Sequence, residues 1–348
     1  MPDATKLLIT PLVLALLGTA CATSVSSHLA QERPMEERAF ITFISTRHAP
    51  AGTLHEASQI YIMSADGTDV ERLTRNVHAD HFPALSPDGR TIVFDSNRLR
   101  AADEPINTSD LFLMNRDGSR QTALTRGSSA SWSPDGSQIA YQASASGTGR
   151  PVKPYPGGAV SDGDIFVLRI RGLSADGVPR NLTRSPGEID EDADWSPSGA
   201  LILFTSHNVE DDGNDSETAE IFVARADGTG VPVRLTENSA EERAPSWSPD
   251  SRRIVYMCRR DGRDFEVCVM NSDGSQQQQL TRNAVADLTP SWSPDGAKII
   301  FHRPVAPQAG GFQIWTINAD GTGEARLTNT SGQNGFAKWN LVPVRAVP

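Results

Sequence analysis

The sequence is poor in positive charge for its size. Its 348 residues include 32 Lys and Arg against 43 Asp and Glu, which gives a formal net charge of −11 at pH 7. Nucleic-acid binding needs clustered cations that neutralise phosphates, so the composition argues against a nucleic-acid partner. An acidic chain is instead typical of a soluble protein, or of one that meets cations or basic surfaces.

Long apolar runs are also missing. The run Leu7–Leu17 is too short to span a bilayer comfortably, and with Lys6 before it and small residues after it, it has the shape of a secretory signal. Two cleavage sites are open: before Cys21, in a stretch that resembles a bacterial lipobox, or after Ala22. We expect the first, with residues 1–20 as a lipoprotein-type signal peptide, a lipidated Cys21 and a polar tether over 21–38.

This interpretation fixes an expected location. Lipid on Cys21 would give the protein its one contact with a membrane, with nothing spanning the bilayer. We therefore expect a periplasmic lipoprotein anchored at the outer membrane. Cleavage after Ala22 would give a secreted protein.

Outside the signal-like segment, no stretch combines the periodicity of a helix with the length of one. The sequence instead contains a short phrase that is repeated along the chain. Pro-Asp-Gly supplies a fixed φ, a side chain that closes an Asx turn, and a glycine for positive φ. Copies of the Trp-Ser-Pro-Asp-Gly type begin at Ala84, Ser131, Asp194, Ser246 and Ser291, and a degenerate copy lies at Lys338–Pro343.

Three further phrases accompany each copy: an Ile-x-aromatic pair such as Ile92/Phe94, an apolar run leading to Asp-Gly such as Ile60–Gly67, and a Leu-Thr pair such as Leu73/Thr74. Their β-branched and aromatic content, bounded by turn residues, predicts strands, and Asp-Gly predicts tight hairpins. Four strands in every ~45 residues are typical of propeller blades. The sequence predicts an all-β, six-bladed β-propeller of four-stranded antiparallel blades, A to D, over residues 39–344.

The two ends of the repeat region predict how the propeller closes. The first blade opens at its strand B, Ala39–Ile44, and lacks a strand A, whereas the stretch around Trp339 is a strand A with no B, C or D after it. Joining them completes the first blade and removes an open sheet edge. We therefore expect closure by a C-terminal strand at the innermost position.

The repeated phrases resemble the WD40-like repeat of the TolB family, also called PD40. The resemblance covers Ala39 to about Val344 and implies the propeller fold; it is much less specific for function, because the motif residues build turns and core. TolB proper also carries an N-terminal α/β domain, which we do not expect here because only a short tether separates the signal from the first blade.

Length variation points to one face of the predicted propeller. The A–B and C–D turns are short and uniform, whereas inserts occur at Ala145–Gly163 and His207–Ala219, both between strands B and C. Rigid scaffolds usually carry function on such loops. We take the face with the B–C and D–A loops as the candidate binding face.

Acidic residues recur near that face. Carboxylates occupy four of the six positions that lie five residues before the strand-A Trp, or before Leu85 in its place, and two more lie nearby in the fourth blade. Such a ring could hold Ca²⁺ or dock a basic segment; alternatively, each carboxylate caps its own D–A turn. The candidate rim comprises Asp80, Asp190, Asp192, Asp194, Glu242, Asp287 and Asn334.

Two other chemistries are weaker candidates. His78 and His81 flank Asp80 at a spacing that could serve a transition metal. Cys258 and Cys268 lie on strands B and C of the fifth blade; they could form a disulfide in an oxidising compartment if they sit directly opposite, or remain two buried thiols. No cofactor is expected apart from a possible Ca²⁺.

These features favour a monomeric binding or scaffold protein of the bacterial envelope over an enzyme. By resemblance to TolB, its partner would be a protein or peptide of the envelope. The alternative is a propeller enzyme, a carbohydrate lyase or hydrolase, with its site on the same face. The sequence has no G-x-S-x-G elbow and no visible nucleophile–base pair, so we expect no enzymatic activity.

Overall fold

The structure is a computed structural model that describes residues 35–49, 57–104, 108–144, 163–185, 187–208, 219–260, 264–305, 311–330 and 332–345. Strands make up the regular secondary structure of these ranges. Within them, no helix has the length and apolar character needed to cross a membrane. The lipidation candidate Cys21 and most of both predicted inserts lie outside the described residues.

The described residues form 25 strands, most of them short. The first twelve are β1 (Met35–Ser45), β2 (Gln59–Ser64), β3 (Glu71–Arg72), β4 (Asp80–Leu85), β5 (Thr91–Ser96), β6 (Asp110–Asn115), β7 (Thr122–Arg126), β8 (Ser128–Trp132), β9 (Gln138–Ser144), β10 (Gly163–Arg171), β11 (Ser174–Ala175) and β12 (Arg180–Asn181). The others are β13 (Glu188–Trp195), β14 (Leu201–Asn208), β15 (Glu220–Arg225), β16 (Val233–Arg234), β17 (Glu241–Trp247), β18 (Arg253–Arg259), β19 (Glu266–Asn271), β20 (Gln278–Gln279), β21 (Leu288–Trp292), β22 (Lys298–Pro304), β23 (Phe312–Asn318), β24 (Ala325–Arg326) and β25 (Asn334–Arg345).

The strands pair as antiparallel meanders, as the repeats predict. Four sheets have four strands each, in the orders β25-β1-β2-β3, β4-β5-β6-β7, β17-β18-β19-β20 and β21-β22-β23-β24. A nine-stranded sheet contains two more such meanders, β8-β9-β10-β12 and β13-β14-β15-β16, and β11 pairs with β10. A single parallel pairing, Gly163 with Ile189, joins these two. We number the meanders first to sixth, beginning with the one that contains β1.

The first meander contains both ends of the described chain. β25 pairs antiparallel with β1, and Trp339 lies opposite Ile41. The strand begins at Met35, four residues before the predicted start at Ala39, because residues 342–345 of β25 provide backbone partners for residues 35–38.

The Ser-Pro-Asp-Gly turns have the predicted chemistry. In the second meander, Ser86 Oγ donates to Asp88 Oδ1 at 2.6 Å, Arg90 N donates to the same oxygen at 3.1 Å, and Gly89 takes φ +70°. Ser133/Asp135 and Ser293/Asp295 repeat the side-chain bond at the same length. Backbone N–H groups that leave the strand pairing at the turn therefore find hydrogen-bond acceptors within the turn itself.

Buried apolar clusters lie between successive meanders. The tryptophans of β8, β13, β17 and β21 are buried, as expected of core residues. One cluster packs Ile300 and Ile314 of the sixth meander against Ile41 and Tyr61 of the first. Burying each such side chain contributes about 1.5–3 kcal/mol, so each meander is held mainly by its two neighbours.

A β-bulge interrupts the first strand of every meander. The pairing register shifts between, for example, His81 and Ala84 of β4, and between Glu191 and Asp194 of β13. One non-glycine residue at each bulge adopts positive φ, between 46° and 58°. These residues are Phe82, Ser129, Asp192, Ala244, Thr289 and Phe336.

Candidate functional site

The bulged strands β4, β8, β13, β17, β21 and β25, hereafter the inner strands, enclose a narrow cavity. Each contributes its bulge residue and one or two residues after it. The bulges lie near the start of each inner strand, at the end that carries the D–A connections. The free volume is about 60 Å³, which is room for one inserted side chain or a few water molecules.

Side chains from the preceding meander hold four of the bulges. Ser129 N donates to both oxygens of Asp95 at 3.2 Å, and Ala244 N donates to Thr205 Oγ1 at 3.2 Å. Phe336 N donates to His302 Nδ1 at 3.4 Å, and Thr289 N points at the Met257 sulfur at 3.1 Å. A non-glycine residue at positive φ costs about 1–3 kcal/mol, so these contacts stabilise an otherwise strained cavity wall.

One wall of the cavity is acidic. Asp194 Oδ2 accepts from Trp247 N at 2.9 Å and Oδ1 from Ser131 Oγ at 3.4 Å, so this carboxylate joins three inner strands. Burial raises the pKa of Asp194, and burial together with Glu191 raises the pKa of Asp192 to about 7. Lys338 lowers both pKa values in part. The wall therefore holds desolvated carboxylates that a cation or hydrogen-bond donor would stabilise.

The cavity wall formed by β4 and β25 is aromatic. The rings of Phe82 and Phe336 are 4.3 Å apart, and His81 and His302 lie 6.0 and 5.2 Å from Phe336. Burial lowers the pKa of His302 to about 3, and its Nδ1 lies 2.8 Å from Thr289 Oγ1. This aromatic wall is therefore uncharged at His302 near neutral pH and suits an apolar or aromatic group.

Most members of the predicted rim are buried and internally bonded. Asp80, Glu242 and Asp287 are each fully buried and each accept from an asparagine four residues earlier, at 2.7–2.9 Å. Arg98 also bridges Asp80, Arg303 bridges Asp287, and Asn334 accepts from Arg47 at 2.8 Å. This geometry matches carboxylates that cap their own D–A turns, and it leaves these three carboxylates covered.

Three rim members differ from the rest. Asp192 and Asp194 line the cavity. Asp190 is fully buried, yet neither of its carboxylate oxygens has a hydrogen-bond partner.

The suggested metal ligands do not converge. His78 is exposed, Asp80 faces Asn76 and Arg98, and His81 packs against Phe82 and Phe336. Across the part of the chain that the structure describes, no three His, Cys, Asp or Glu side chains are grouped as a metal would need.

Cys258 and Cys268 lie diagonally across β18 and β19. Cys268 is opposite Tyr256 and Cys258 is opposite Glu266, so the condition that the cysteines sit directly opposite is not met. Their Cα atoms are nevertheless 5.9 Å apart and their sulfurs lie within bonding distance. Diagonal neighbours on one face of a twisted antiparallel pair can approach this closely, and the disulfide remains a prediction for oxidised protein.

Apart from Asp192 and Asp194, which belong to the predicted rim, the sequence interpretation missed the cavity residues because the bulges are invisible in the repeated phrase. No glycine marks them, and counting by strict alternation continues straight through the extra residue. Proline was the available signal: Pro83, Pro245 and Pro290 follow three of the bulge residues. Proline inside a strand indicates an edge or a bulge, since it cannot donate to the ladder.

Four-stranded antiparallel sheets packed around a shared cavity define the chain as a β-propeller. The chain belongs to the family described as the TolB beta propeller domain, PD40, whose model matches residues 159–342. Among solved structures, TolB from Acinetobacter baumannii is similar with a TM-score of 0.64 at 19% identity, over 86% of this chain and 66% of that one.

The curated relatives match shorter stretches. An uncharacterized protein of Agrobacterium fabrum is 36% identical over 91 residues, which is 24% of this chain and 31% of that protein. An uncharacterized peptidase of Bacillus subtilis is 28% identical over 89 residues, 26% of this chain and 13% of that protein. The chain thus spans about a third or less of the curated relatives it matches.

Proposed function

We propose that the chain is a protein-binding propeller of the bacterial cell envelope, with six four-stranded blades closed by β25, and that a partner inserts a side chain or short segment into the cavity between the inner strands. One observation carries this: a cavity of about 60 Å³ has an acidic wall with Asp192 and Asp194 and an aromatic wall with Phe82 and Phe336. A buried anchor in such a pocket is how protein interfaces concentrate their affinity.

The closed six-bladed form is supported by the pairing of β25 with β1 and by the apolar cluster between the sixth and first meanders. A closed wheel fixes the inner strands from both sides and gives the cavity a rigid wall. A pre-formed pocket costs less ordering on binding than a flexible one.

The envelope location rests on the signal-like segment Leu7–Leu17 and on Cys21. Mass spectrometry of the mature N-terminus distinguishes the alternatives. A diacylglyceryl Cys21 supports a lipid-anchored envelope protein, an N-terminus at Thr23 supports a secreted one, and a retained Met1 contradicts export.

Affinity capture from envelope extract tests the cavity. We expect the double variant Asp192→Asn/Asp194→Asn to lose at least ten-fold in partner recovery, because an amide removes the charge while keeping the size of the side chain and one acceptor oxygen. Asp69→Asn is the matched control, since Asp69 is an exposed C–D turn residue with φ 52° that asparagine tolerates. Equal recovery by wild type and both variants would remove the cavity from the binding site.

An enzyme remains the second candidate, because two carboxylates with raised pKa share one cavity and one relative is named a peptidase. The free volume is well below the few hundred Å³ that small-molecule sites usually offer, which favours the binding role. Metal analysis followed by a polysaccharide and peptide activity screen tests this alternative. Turnover that Asp192→Asn abolishes would replace the binding proposal.

A further inference from the structure

An arginine clip recurs in three meanders. In each, a guanidinium from the end of the second strand or just after it lies over an aromatic pair formed by the second and third strands. Arg47 lies 4.9 Å from the Tyr61 ring, Arg98 lies 4.5 Å from Phe112, and Arg303 lies 4.8 Å from Trp315.

The same guanidinium reaches the inner strand. It donates to the residue at the rim position: Arg47 to Asn334 at 2.8 Å, Arg98 to Asp80 at 2.9 Å, and Arg303 to Asp287 at 2.6 Å. Arg47 and Arg98 each also donate through Nε to a serine of the second strand, Ser45 and Ser96, at 2.9 and 2.8 Å. A guanidinium that stacks on an aromatic ring and also donates a charge-assisted hydrogen bond is held in one orientation.

The fourth meander keeps every acceptor of this clip and lacks the arginine. Phe204 and Phe222 stack with ring centroids 5.7 Å apart, and Asp190 lies opposite Ser206 in the pairing register. The position four residues after the second-strand aromatic is arginine in the first, second and fifth meanders and Asn208 here. In the fifth meander this arginine, Arg260, donates to Tyr256 Oη and Gln277 Oε1 instead of to the rim residue.

The consequences of the missing arginine are visible. Asp190 is fully buried with no hydrogen bond to either oxygen. A buried carboxylate without a partner is costly, so the unfilled position is a latent binding site.

An open pocket reaches two of these groups, Ser206 and Phe222, and lies beside the strand position of Asp190. It has a free volume of about 290 Å³ and is lined by Ser206, Phe222, Glu188 and Glu220 among others. Arg234 already donates to one oxygen of Glu220, while the other oxygen is buried without a partner. Burial raises the pKa of Asp190 to about 6. The side chains of Ser206, Thr183 and Ser185 lie close enough to oppose this rise, but none of them reaches an Asp190 oxygen in hydrogen-bond geometry. The pocket is therefore negative and short of one cation.

We propose that this pocket on the fourth meander, the arginine seat, binds the guanidinium of an arginine supplied by the protein partner. The inference rests on the proposed function and names one side chain that the partner must present. A planar fork that stacks on an aromatic ring while bonding a carboxylate is specific to arginine, because a lysine ammonium has no flat face to stack and bonds a carboxylate only as a point charge. The segment after Asn208, residues 209–218, contains no Lys or Arg that could fill the seat in cis.

Titration with N-acetylarginine amide, followed by NMR, tests the seat directly, with the isosteric neutral N-acetylcitrulline amide as the control ligand. We expect wild type to bind the arginine probe at least ten-fold more tightly than the citrulline probe. Asn208→Arg should supply the missing clip, abolish that preference and raise the melting temperature by about 2–4 °C. Asn208→Gln is the matched control and should change neither, and Asp190→Asn should lose the preference.

Two outcomes overturn the seat. The first is a wild type that shows no preference for the arginine probe while Asn208→Arg leaves the melting temperature unchanged. The second is that wild type shows no preference and a variant with Arg150, Lys153 and Arg184 replaced by alanine shows it. That result would mean that a cation of this chain occupies the seat. Partner capture with Asp190→Asn beside Asp192→Asn/Asp194→Asn separates the two proposals: normal capture by the first variant and lost capture by the second would overturn the seat and retain the cavity.

Discussion

Single side chains hold the strained bulges of the inner strands, and His302 is one that can do so only while it is uncharged. Its Nδ1 accepts from Phe336 N and lies 2.8 Å from Thr289 Oγ1, so two inner strands depend on this ring. Protonation would remove the acceptor and place a charge in a buried site. Burial accordingly lowers the pKa of His302 to about 3.

We expect His302 to make folding sensitive to acid. Its folded pKa lies below the unfolded value of about 6.5, so the unfolded state takes up a proton first. Its contribution to the free energy of unfolding is complete above pH 6.5 and falls by about 1.4 kcal/mol per pH unit from there toward pH 3. Urea unfolding of wild type and His302→Gln from pH 4 to 8 measures this.

The comparison between variants matters because other groups act in the opposite direction. The pKa values of Asp192 and Glu242 are raised to about 7, mainly by burial, so they favour the folded state at low pH and lose that contribution as pH rises through 7. The difference between wild type and His302→Gln cancels them. His78→Gln supplies the same exchange at an exposed position; parallel pH profiles for wild type and His302→Gln would contradict the assignment.

At the scale of the element, the closing strand reaches the neighbouring meander. Val342 of β25 lies beside Gly89, where an added Cβ would come within 1.9 Å of Val342 Cγ1. At Gly136, the same turn one meander further on, the nearest atom is Pro87 Cδ at 3.6 Å. The two glycines have φ values of 70° and 69°, so they differ in this contact and not in backbone conformation.

We expect Gly89→Ala to destabilise the protein more than Gly136→Ala does, by about 1–3 kcal/mol for the overpacking, while the strain of alanine at positive φ is common to both. Val342→Ala in the Gly89→Ala background should recover part of the loss. Denaturant midpoints of the four proteins measure the effect. Equal costs at the two glycines would place β25 away from the second meander.

The strands, turns and bulges also differ in how well they can be predicted from the sequence. Turns and strands were predictable because Asp88, Gly89 and their counterparts specify local geometry through short-range hydrogen bonds and φ. The bulge residues were not, because Phe82, Ser129 and Asp192 share no chemistry, and four of the six bulges, that at Ser129 among them, are held by a side chain of the preceding meander such as Asp95. Most of the candidate site lies on these bulges, and only Asp192 and Asp194 of its lining were among the predicted rim residues.

At the scale of the whole molecule, the fold and the site depend on different parts of the sequence. Repetition of the turn and core residues specifies the propeller, and any one copy is dispensable for recognising it. The site depends on departures from repetition: Lys338 and Asp194 stand where other inner strands have Ser or Ala, and Asn208 stands where three other meanders have arginine. Asp194 was among the predicted rim residues, whereas the roles of Lys338 and Asn208 became visible only in the structure.

Photo-crosslinking most directly tests the central claim that the cavity between the inner strands receives a protein partner. A benzophenone amino acid at Phe336 lies in the aromatic wall, and the same group at Asp69 samples the exposed C–D turns. We predict that irradiation of cells joins the Phe336 position, but not the Asp69 position, to one envelope protein, and that Asp192→Asn/Asp194→Asn abolishes the adduct. An adduct formed equally from both positions, or one that survives loss of both carboxylates, would contradict the claim.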